Sequence, residues 1–248
     1  MITVCYNSGA TITDTLRSVS CQSHPNIDHI IVDGGSTDET LDIVQVEGQR
    51  VTRIVSEPDR GIFDAMNKGI RLAEGEVIGF INSDDFYATD DAMSKIAAVF
   101  ADSSVDACYG DLCYVRQDST SVIVRYWRSS VFMAGLFARG WCPPHPTFFA
   151  RKSLFNRFGL FDLNYQSGVD IELMMRFMEV NHIKAIYIPD VLVKMRMGGA
   201  SNSSWRNILR QNREIWRALK NHGLQPSVLP FVLGKIVSRC KQLMTRPV

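Results

Sequence analysis

The first 85 residues alternate between short apolar runs and amphipathic segments with almost no chain left over, and no other feature of the sequence restricts the fold as much. Ile2 to Tyr6 is rich in β-formers, Asn7-Ser8-Gly9 breaks it, and Thr11 to Cys21 has helical spacing with Ile12, Leu16 and Val19 on one face. A second run, Ile27 to Val32, ends in Asp33-Gly34-Gly35-Ser36-Thr37-Asp38-Glu39. That loop reads as the start of a helix: Ser36 or Thr37 is the expected N-cap, Glu39 takes the capping-box position if Ser36 is the cap, and Leu41 and Val44 point inward. Arg50 to Val55 is a third strand, followed by a helix through Ala73 with Ile62, Met66, Ile70 and Ala73 along one side. Gly75 closes that helix and Glu76 to Ile81 makes the fourth strand. Strands alternating with helices over short linkers pair in parallel, so the expected class is α/β, an open, mostly parallel sheet of Rossmann-like type.

Open α/β sheets bind ligands at the carboxyl ends of their strands, and here the fourth strand ends abruptly in Asn82-Ser83-Asp84-Asp85. Adjacent acids repel unless something positive lies between or beside them. A hard divalent cation carrying phosphate oxygens, Mg2+ or Mn2+, is the economical answer, because magnesium is typically held by one or two carboxylates plus substrate phosphates. The local alternative is that Asp84 closes a turn while Thr89 or Asp90 opens a helix from Asp91 to Phe100. The first strand ends in Tyr6-Asn7 and the second in Asp33-Gly34-Gly35, two carboxyl ends facing one crevice. A ring to stack a base and a carboxylate to accept from base or ribose are what a nucleotide pocket needs; a half-buried strand aromatic and a turn-forming aspartate have the same sequence. Asp64, Asn67 and Lys68 share helical spacing, where their polar heads either reach a pyrophosphate or sugar or form a solvated face. Neither G-x-G-x-x-G nor G-x-x-x-x-G-K-[ST] follows the first strand, which removes the main support for dinucleotide and P-loop readings.

Past Asp85 the regularity fades. The expected elements are strands around Ala107 to Leu112 and Ser121 to Tyr126, an irregular aromatic stretch to Trp141 and a returning strand at His145-Pro146-Thr147-Phe148-Phe149. Helices are expected over Lys152 to Phe158 and Asp170 to Asn181, the second burying Leu173, Phe177 and Val180, with a last strand at Ala185 to Ile188 and a loop from Met195 to Ser201. This makes a mixed, acceptor-side half of about 101–200 beside a donor half of about 1–100, in one domain of 1–200. His145 is a candidate for an acceptor sugar or phosphate and equally for a core or turn position. Cys108 and Cys113 read as small buried hydrophobes.

Taken in order, Ile2-Thr3-Val4-Cys5-Tyr6-Asn7, Ile31-Val32-Asp33-Gly34-Gly35-Ser36-Thr37-Asp38, the run from Ser56-Glu57-Pro58-Asp59-Arg60-Gly61 to Asp64-Ala65-Met66-Asn67-Lys68-Gly69, and Asn82-Ser83-Asp84-Asp85 resemble the family 2 glycosyltransferases of bacterial polysaccharide assembly. In particular they resemble the non-processive enzymes that build capsule, exopolysaccharide or O-antigen repeat units, and the resemblance extends from Ile2 to about Ser201. It implies a GT-A fold, with Tyr6 and Asp33 near the base of a nucleotide-sugar donor, Asp84 near its ribose, and Asp85 on the divalent cation. Asn82 stands where the family's D-x-D commonly begins with Asp, so Asp84 and Asp85 must carry the metal between them. Gly168-Val169-Asp170-Ile171-Glu172 resembles the family's acidic pair at a helix start, with Val169 where a Glu is often found, which leaves Asp170 as the matching acid and implied general base. The Q-x-x-R-W motif of processive synthases is missing. The implied reaction is transfer of one sugar, with inversion, to a lipid-linked or oligosaccharide acceptor. A sugar-phosphate nucleotidyltransferase would carry a base in the loop after the first strand, and Asn7-Ser8-Gly9-Ala10 has none; a non-catalytic nucleotide-sugar-binding protein would not keep Asp84, Asp85 and Asp170 together.

The formal net charge of +1 hides an asymmetry: from Ser201 onward nine basic residues face a single acid, Glu214, so that segment is +8 and the first 200 residues are −7. A basic terminal segment points to an anionic partner. Trp205 to Asn221 reads as a basic amphipathic helix, and Val228 to Met244 sets Leu229, Phe231, Val232, Leu233, Ile236, Val237 and Leu243 beside Lys235, Arg239 and Lys241. Residues 201–248 are thus expected to form a basic helical extension that attaches to an anionic membrane surface, rather than to nucleic acid, or packs on the domain. No uncharged apolar run approaches the roughly 18 residues of a membrane span. The six cysteines form no C-x-x-C pair and no secretory signal opens the sequence, so the expected location is cytoplasmic, peripheral on the inner face of the cytoplasmic membrane.

Overall fold

The computed structural model describes residues 1–198 and 205–244, so the boundary expected near Ser201 lies outside the described residues. In chain order the elements are β1 (Ile2–Cys5), α1 (Ile12–Ser20), β2 (His29–Asp33), α2 (Thr40–Glu47), β3 (Val51–Ser56), α3 (Ile62–Leu72), β4 (Val77–Asn82), β5 (Phe86–Tyr87), α4 (Ala92–Phe100), β6 (Ala107–Val115), β7 (Ile123–Trp127), β8 (Phe149–Arg151), α5 (Lys152–Phe158), α6 (Val169–Met175), β9 (Ala185–Arg196), α7 (Trp205–Asn221) and α8 (Val228–Met244). The strands form one sheet in the order β3-β2-β1-β4-β8-β6-β9-β5, with β7 paired to β6.

The first four strands are parallel, with Ile2 opposite Ile30 on one side and Phe80 on the other. β1 and β2 are buried along their whole length without alternation, as parallel strands covered on both faces must be. Ile2, Val4, Ile30 and Val32 face Met66 and Ile70 of α3, while Cys5 and Ile31 face Ile12, Leu16 and Val44 of α1 and α2. Two glycines set how closely the layers approach. A Cβ at Gly69 would stand 2.5 Å from the Ile2 side chain, and one at Gly79 would stand 2.1 Å from the ring of Phe149, which lies opposite it in the β4–β8 ladder.

Several boundaries differ from the sequence expectation. Ser36 and Thr37 do not cap α2; the Ser36 hydroxyl is drawn onto Asp33, and the helix begins at Thr40, whose amide donates to Asp38 at 3.1 Å. Ile62 is exposed, whereas Met66, Ile70 and Ala73 are buried as the spacing requires. His145–Thr147 is a 3-10 turn, because Pro144 and Pro146 offer no N–H to a ladder, and the returning strand starts only at Phe149. The last strand does not stop at Ile188 but continues to Arg196; Pro189 and Asp190 fall where the β6–β9 register slips between Tyr109 and Asp111, and the bulge absorbs them. The helix expected over Asp170 to Asn181 is α6 followed by a π-helical turn at Arg176–Val180. Cys108 and Cys113 are buried among the core side chains, as expected.

α7 belongs to the core: Ile215, Ala218 and Leu219 join the cluster that contains Met66, Phe155 and Met174. Glu214 accepts from the amides of Gln166 and Ser167 at 3.0 and 2.5 Å, which ties α7 to the loop before α6.

Candidate active site

The carboxyl ends of β1, β2 and β4 open onto a crevice of about 830 Å³. Tyr6 stands at its rim, 64% exposed, with its ring against Gly34; a Cβ at Gly34 would meet Asp59 at 3.2 Å and Tyr6 at 3.4 Å. Asn7, which also lines the crevice, adopts a left-handed φ of 48°. Its amide donates to Ser36 Oγ at 2.8 Å and its Oδ1 accepts from the Thr37 amide at 2.9 Å. Ser8 Oγ meets Ser83 Oγ at 2.7 Å, so the loops after β1, β2 and β4 are stitched together.

Asp33 lies beneath this crevice. It is completely buried and accepts from the amides of Gly35 and Ser36 and from the hydroxyls of Ser36 and Ser56. Burial opposes its charge, but those hydrogen bonds outweigh it and hold the carboxyl below the usual range. The side chain therefore fixes the loop, and Gly34 presents backbone to the crevice.

The acids after β4 divide. Asp84 is half-buried and lines the crevice, while Asp85 is fully buried behind it. Asp85 accepts from Asn82 Nδ2 at 3.0 Å and from the Arg196 amide at 3.3 Å, and its carbonyl accepts from Thr15 Oγ1 at 2.6 Å. Burial raises the pKa of Asp84; burial and then the charge of Asp84 push Asp85 well above the usual carboxylate range. A pair so disfavoured in its ionised form, with Asp84 facing a space large enough for phosphates, suits a hard dication. Among the described residues no group of three acids, histidines or cysteines forms a cage, so the remaining ligands would be donor phosphates and water.

Arg196 is the residue that sequence reading misses, because taking Met195 to Ser201 as a loop hides the last turn of strand. Its guanidinium donates to the Asp84 carbonyl at 3.1 Å and to Asp14, and lies 5.3 Å from the centre of the Phe86 ring. The short strand β5, paired with Val193 and Lys194, brings it there. Tyr114 and Gln117, at and beyond the end of β6, also line the crevice and carry no motif. The available signal was the apolar run Val191-Leu192-Val193, which continues the strand past Pro189.

Asp64, Asn67 and Lys68 build the floor of the site and do not line it. Asp64 accepts from the Arg60 amide at 3.1 Å; Lys68 pairs with Glu57 at 2.9 Å and with Asp59 at 2.5 Å. Asn67 is buried and uses both ends of its amide on the backbone of Phe161, at 2.9 and 3.0 Å. Asp64 and Lys68, which the helical spacing aims at a pyrophosphate, hold instead the 57–61 loop, whose Pro58, Asp59 and Gly61 line the crevice.

Asp170 does not line the crevice; it sits half-buried in the first turn of α6, after Gly168 in the left-handed region at φ 74°. Its charge reaches His145, Cys142 and Lys235, and also Tyr114, which feels Asp85 as well. Tyr114 lines the crevice, and the charges of Arg239, Asp85 and Asp170 all act on it. His145 is a core residue: it stacks on Phe80 at 5.5 Å, its Nε2 is buried with no hydrogen-bond partner among the described residues, and burial lowers its pKa. α6 is anchored by Glu172, 3% exposed, which accepts from Arg176 Nε at 2.9 Å and meets His222 Nε2 at 2.8 Å.

The sequence pattern of the family described as Glycosyl transferase family 2 matches residues 1–163. A Mycobacterium bovis protein described as a PGL/p-HBAD biosynthesis glycosyltransferase is 32% identical over 203 residues, 79% of this chain and 76% of its own. The putative teichuronic acid biosynthesis glycosyltransferase TuaG of Bacillus subtilis is 40% identical over 123 residues, 48% of each chain. Among solved structures, S. aureus TarS 1–349 in complex with UDP-GlcNAc superposes with a TM-score of 0.69 at 19% identity, covering 95% of this chain and 72% of that one. The mannosyltransferase PcManGT from Pyrobaculum calidifontis, in complex with GDP-Man and Mn2+, does so with a TM-score of 0.65 at 18% identity, covering 96% and 68%. These superpositions speak for the fold, which is the GT-A arrangement.

Proposed function

The chain belongs to glycosyl transferase family 2, and from that premise we propose that it moves one sugar, with inversion, from a nucleotide-sugar donor to a hydroxyl of a lipid-linked or oligosaccharide acceptor in bacterial surface polysaccharide assembly. The observation that carries the reading is a nucleotide-sized crevice at the strand ends, walled by Asp84 and by Tyr114, with the charge of Asp170 reaching Tyr114. The ligands of the structural neighbours support a nucleotide-sugar donor, since TarS holds UDP-GlcNAc and PcManGT holds GDP-Man. The names of the relatives support a place in building cell-surface glycans.

In this reading Tyr6 stacks on the base, with the loop fixed by Asn7 and Asp33 around it, and Ser83 and Asn82 lie beside the ribose and diphosphate. Asp84, backed by Asp85, holds the cation. A bound Mg2+ or Mn2+ supplies Lewis-acid neutralisation of the nucleoside diphosphate leaving group. Asp170 takes the proton from the acceptor hydroxyl as that oxygen attacks the anomeric carbon from the side opposite the diphosphate. One displacement inverts the configuration, and no carboxylate beneath the sugar is required.

The test is a thermal-shift panel of nucleotide sugars with and without Mn2+, since a ligand that binds only the native state raises its apparent stability. It is followed by NMR assignment of the product's anomeric configuration with the donor that binds. Stabilisation by one class of donor in the presence of the cation, and an inverted product, are expected. A panel without any shift, or a product retaining the donor's configuration, overturns the reading.

A further inference from the structure

Helix α8 has two opposite faces with different fates. Along one, Phe231 is buried and meets Trp216 edge-on at 5.5 Å, and Gln242 is buried. Lys235 donates to Asn212 of α7 at 2.5 Å. Gly234 lets the helix lie directly on the 3-10 turn Phe137–Arg139, where a Cβ would come within 1.9 Å of the Arg139 carbonyl oxygen. The helix is therefore fixed in rotation. Along the other face Leu229, Val232, Leu233, Ile236, Val237 and Leu243 are all exposed, from 46% at Val232 to 68% at Leu229. Their spacing of three and four residues makes them one continuous stripe.

Arg239 and Lys241 are exposed on the same helix. At about 100° per residue they fall on opposite edges of the stripe. α8 contains no acid, and the sequence from Ile215 to Val248 contains none either. Two copies meeting stripe to stripe about a twofold axis would bring like charges together, with no acid on either helix. A surface of anionic headgroups over acyl chains complements both features at once.

We propose that α8 is an interfacial helix, its Leu229–Leu243 stripe seated at the headgroup–acyl boundary of an anionic bilayer with Arg239 and Lys241 on the phosphates. No helix among the described residues is long and apolar enough to cross a membrane; the contact proposed for α8 lies along the bilayer surface. The opposite face of α8 packs on the turn Phe137–Arg139 and on β7, so docking holds that part of the domain next to the lipid. The proposal rests on α8 alone and stands or falls separately from the transferase reading.

The experiment uses the full chain in co-sedimentation with vesicles of phosphatidylcholine alone or mixed with phosphatidylglycerol. Wild type is expected to sediment with the phosphatidylglycerol vesicles, less so at high salt. The Leu233→Gln/Ile236→Gln pair is expected to lose about tenfold or more in partitioning, since several buried methylene groups are exchanged for amides; Arg239→Gln/Lys241→Gln should lose the salt dependence. Unchanged melting by circular dichroism shows that these exposed substitutions leave the fold intact. Wild type that ignores phosphatidylglycerol, a stripe variant that sediments like wild type, or a light-scattering dimer that the stripe variant dissolves into monomers would each overturn the proposal, the last in favour of a second copy of this chain.

Discussion

Residues 1–85 and residues 101–196 pair into the same sheet, yet they position chemistry by different means. In the first region parallel strands joined by helices leave loops at their carboxyl ends, and those loops bond mainly to one another: Ser8 to Ser83, Asn7 to Ser36 and Thr37, Asp33 to Ser36 and Ser56. In the second the strands reverse and slip in register. Their functional contacts are made over long separations, Arg196 reaching Asp84 and Asp85 from more than a hundred residues away and His222 reaching Glu172 from just past the end of α7. A crevice made by strand ends can change a side chain without disturbing its neighbours, whereas a site held by distant partners couples turnover to stability.

Substitutions on each side can break that contrast. The largest effect is expected at Asp170: Asn keeps the shape and removes the basicity, so turnover should fall about 10²- to 10⁴-fold while calorimetry still detects donor binding. Glu172→Gln should cost stability as well as turnover, roughly 3 kcal/mol by urea denaturation at neutral pH, because Arg176 is left buried beside a neutral group. Burial opposes the charge of Glu172, but hydrogen bonds from His222 and Arg176 lower its folded pKa. Its contribution is therefore present above the unfolded value of about 4.3 and lost as pH falls through the folded value, so mutant and wild-type stabilities should converge in acid. Asn67→Ala leaves both backbone groups of Phe161 without their partner and should cost about 1–3 kcal/mol, read as a lowered melting temperature. Tyr6→Ala should weaken donor binding by about tenfold through lost stacking and leave the melting temperature unchanged, since the ring is 64% exposed. If Tyr6→Ala destabilised the protein as Glu172→Gln does, the contrast between the halves would fail.

How much could be read in advance follows the same division. The strand–helix alternation, the buried faces of α1 and α3 and the acids closing β4 are local patterns, and the sequence shows them directly. The role of Asn67 is not local: its helical spacing looks like a solvent-facing stripe until Phe161 arrives from nearly a hundred residues away. Arg196 is hidden because Pro189 mimics a strand end; the apolar run Val191-Leu192-Val193 hints at the continuation, and pairing with β6 shows the bulge that absorbs the proline. The resemblance sets Asp85 on the cation and Asp84 near the ribose, whereas the turn sends Asp84 to the crevice and Asp85 beneath Asn82 and Arg196. His145 shows the same limit, since in the sequence an acceptor-binding and a core position weigh equally, and only the ring packed on Phe80 shows that it is core.

The central claim is that the crevice at the end of β4 takes a nucleotide-sugar donor through a cation held at Asp84. It is tested most directly by titration calorimetry of the donor, with Mn2+ and with chelator, on wild type, Asp84→Asn and Asp170→Asn. The account predicts strong binding with Mn2+ and weak binding with chelator for wild type and Asp170→Asn, and weak binding under both conditions for Asp84→Asn. If Asp84→Asn kept the full gain from Mn2+, the cation would be held elsewhere and the account would be contradicted.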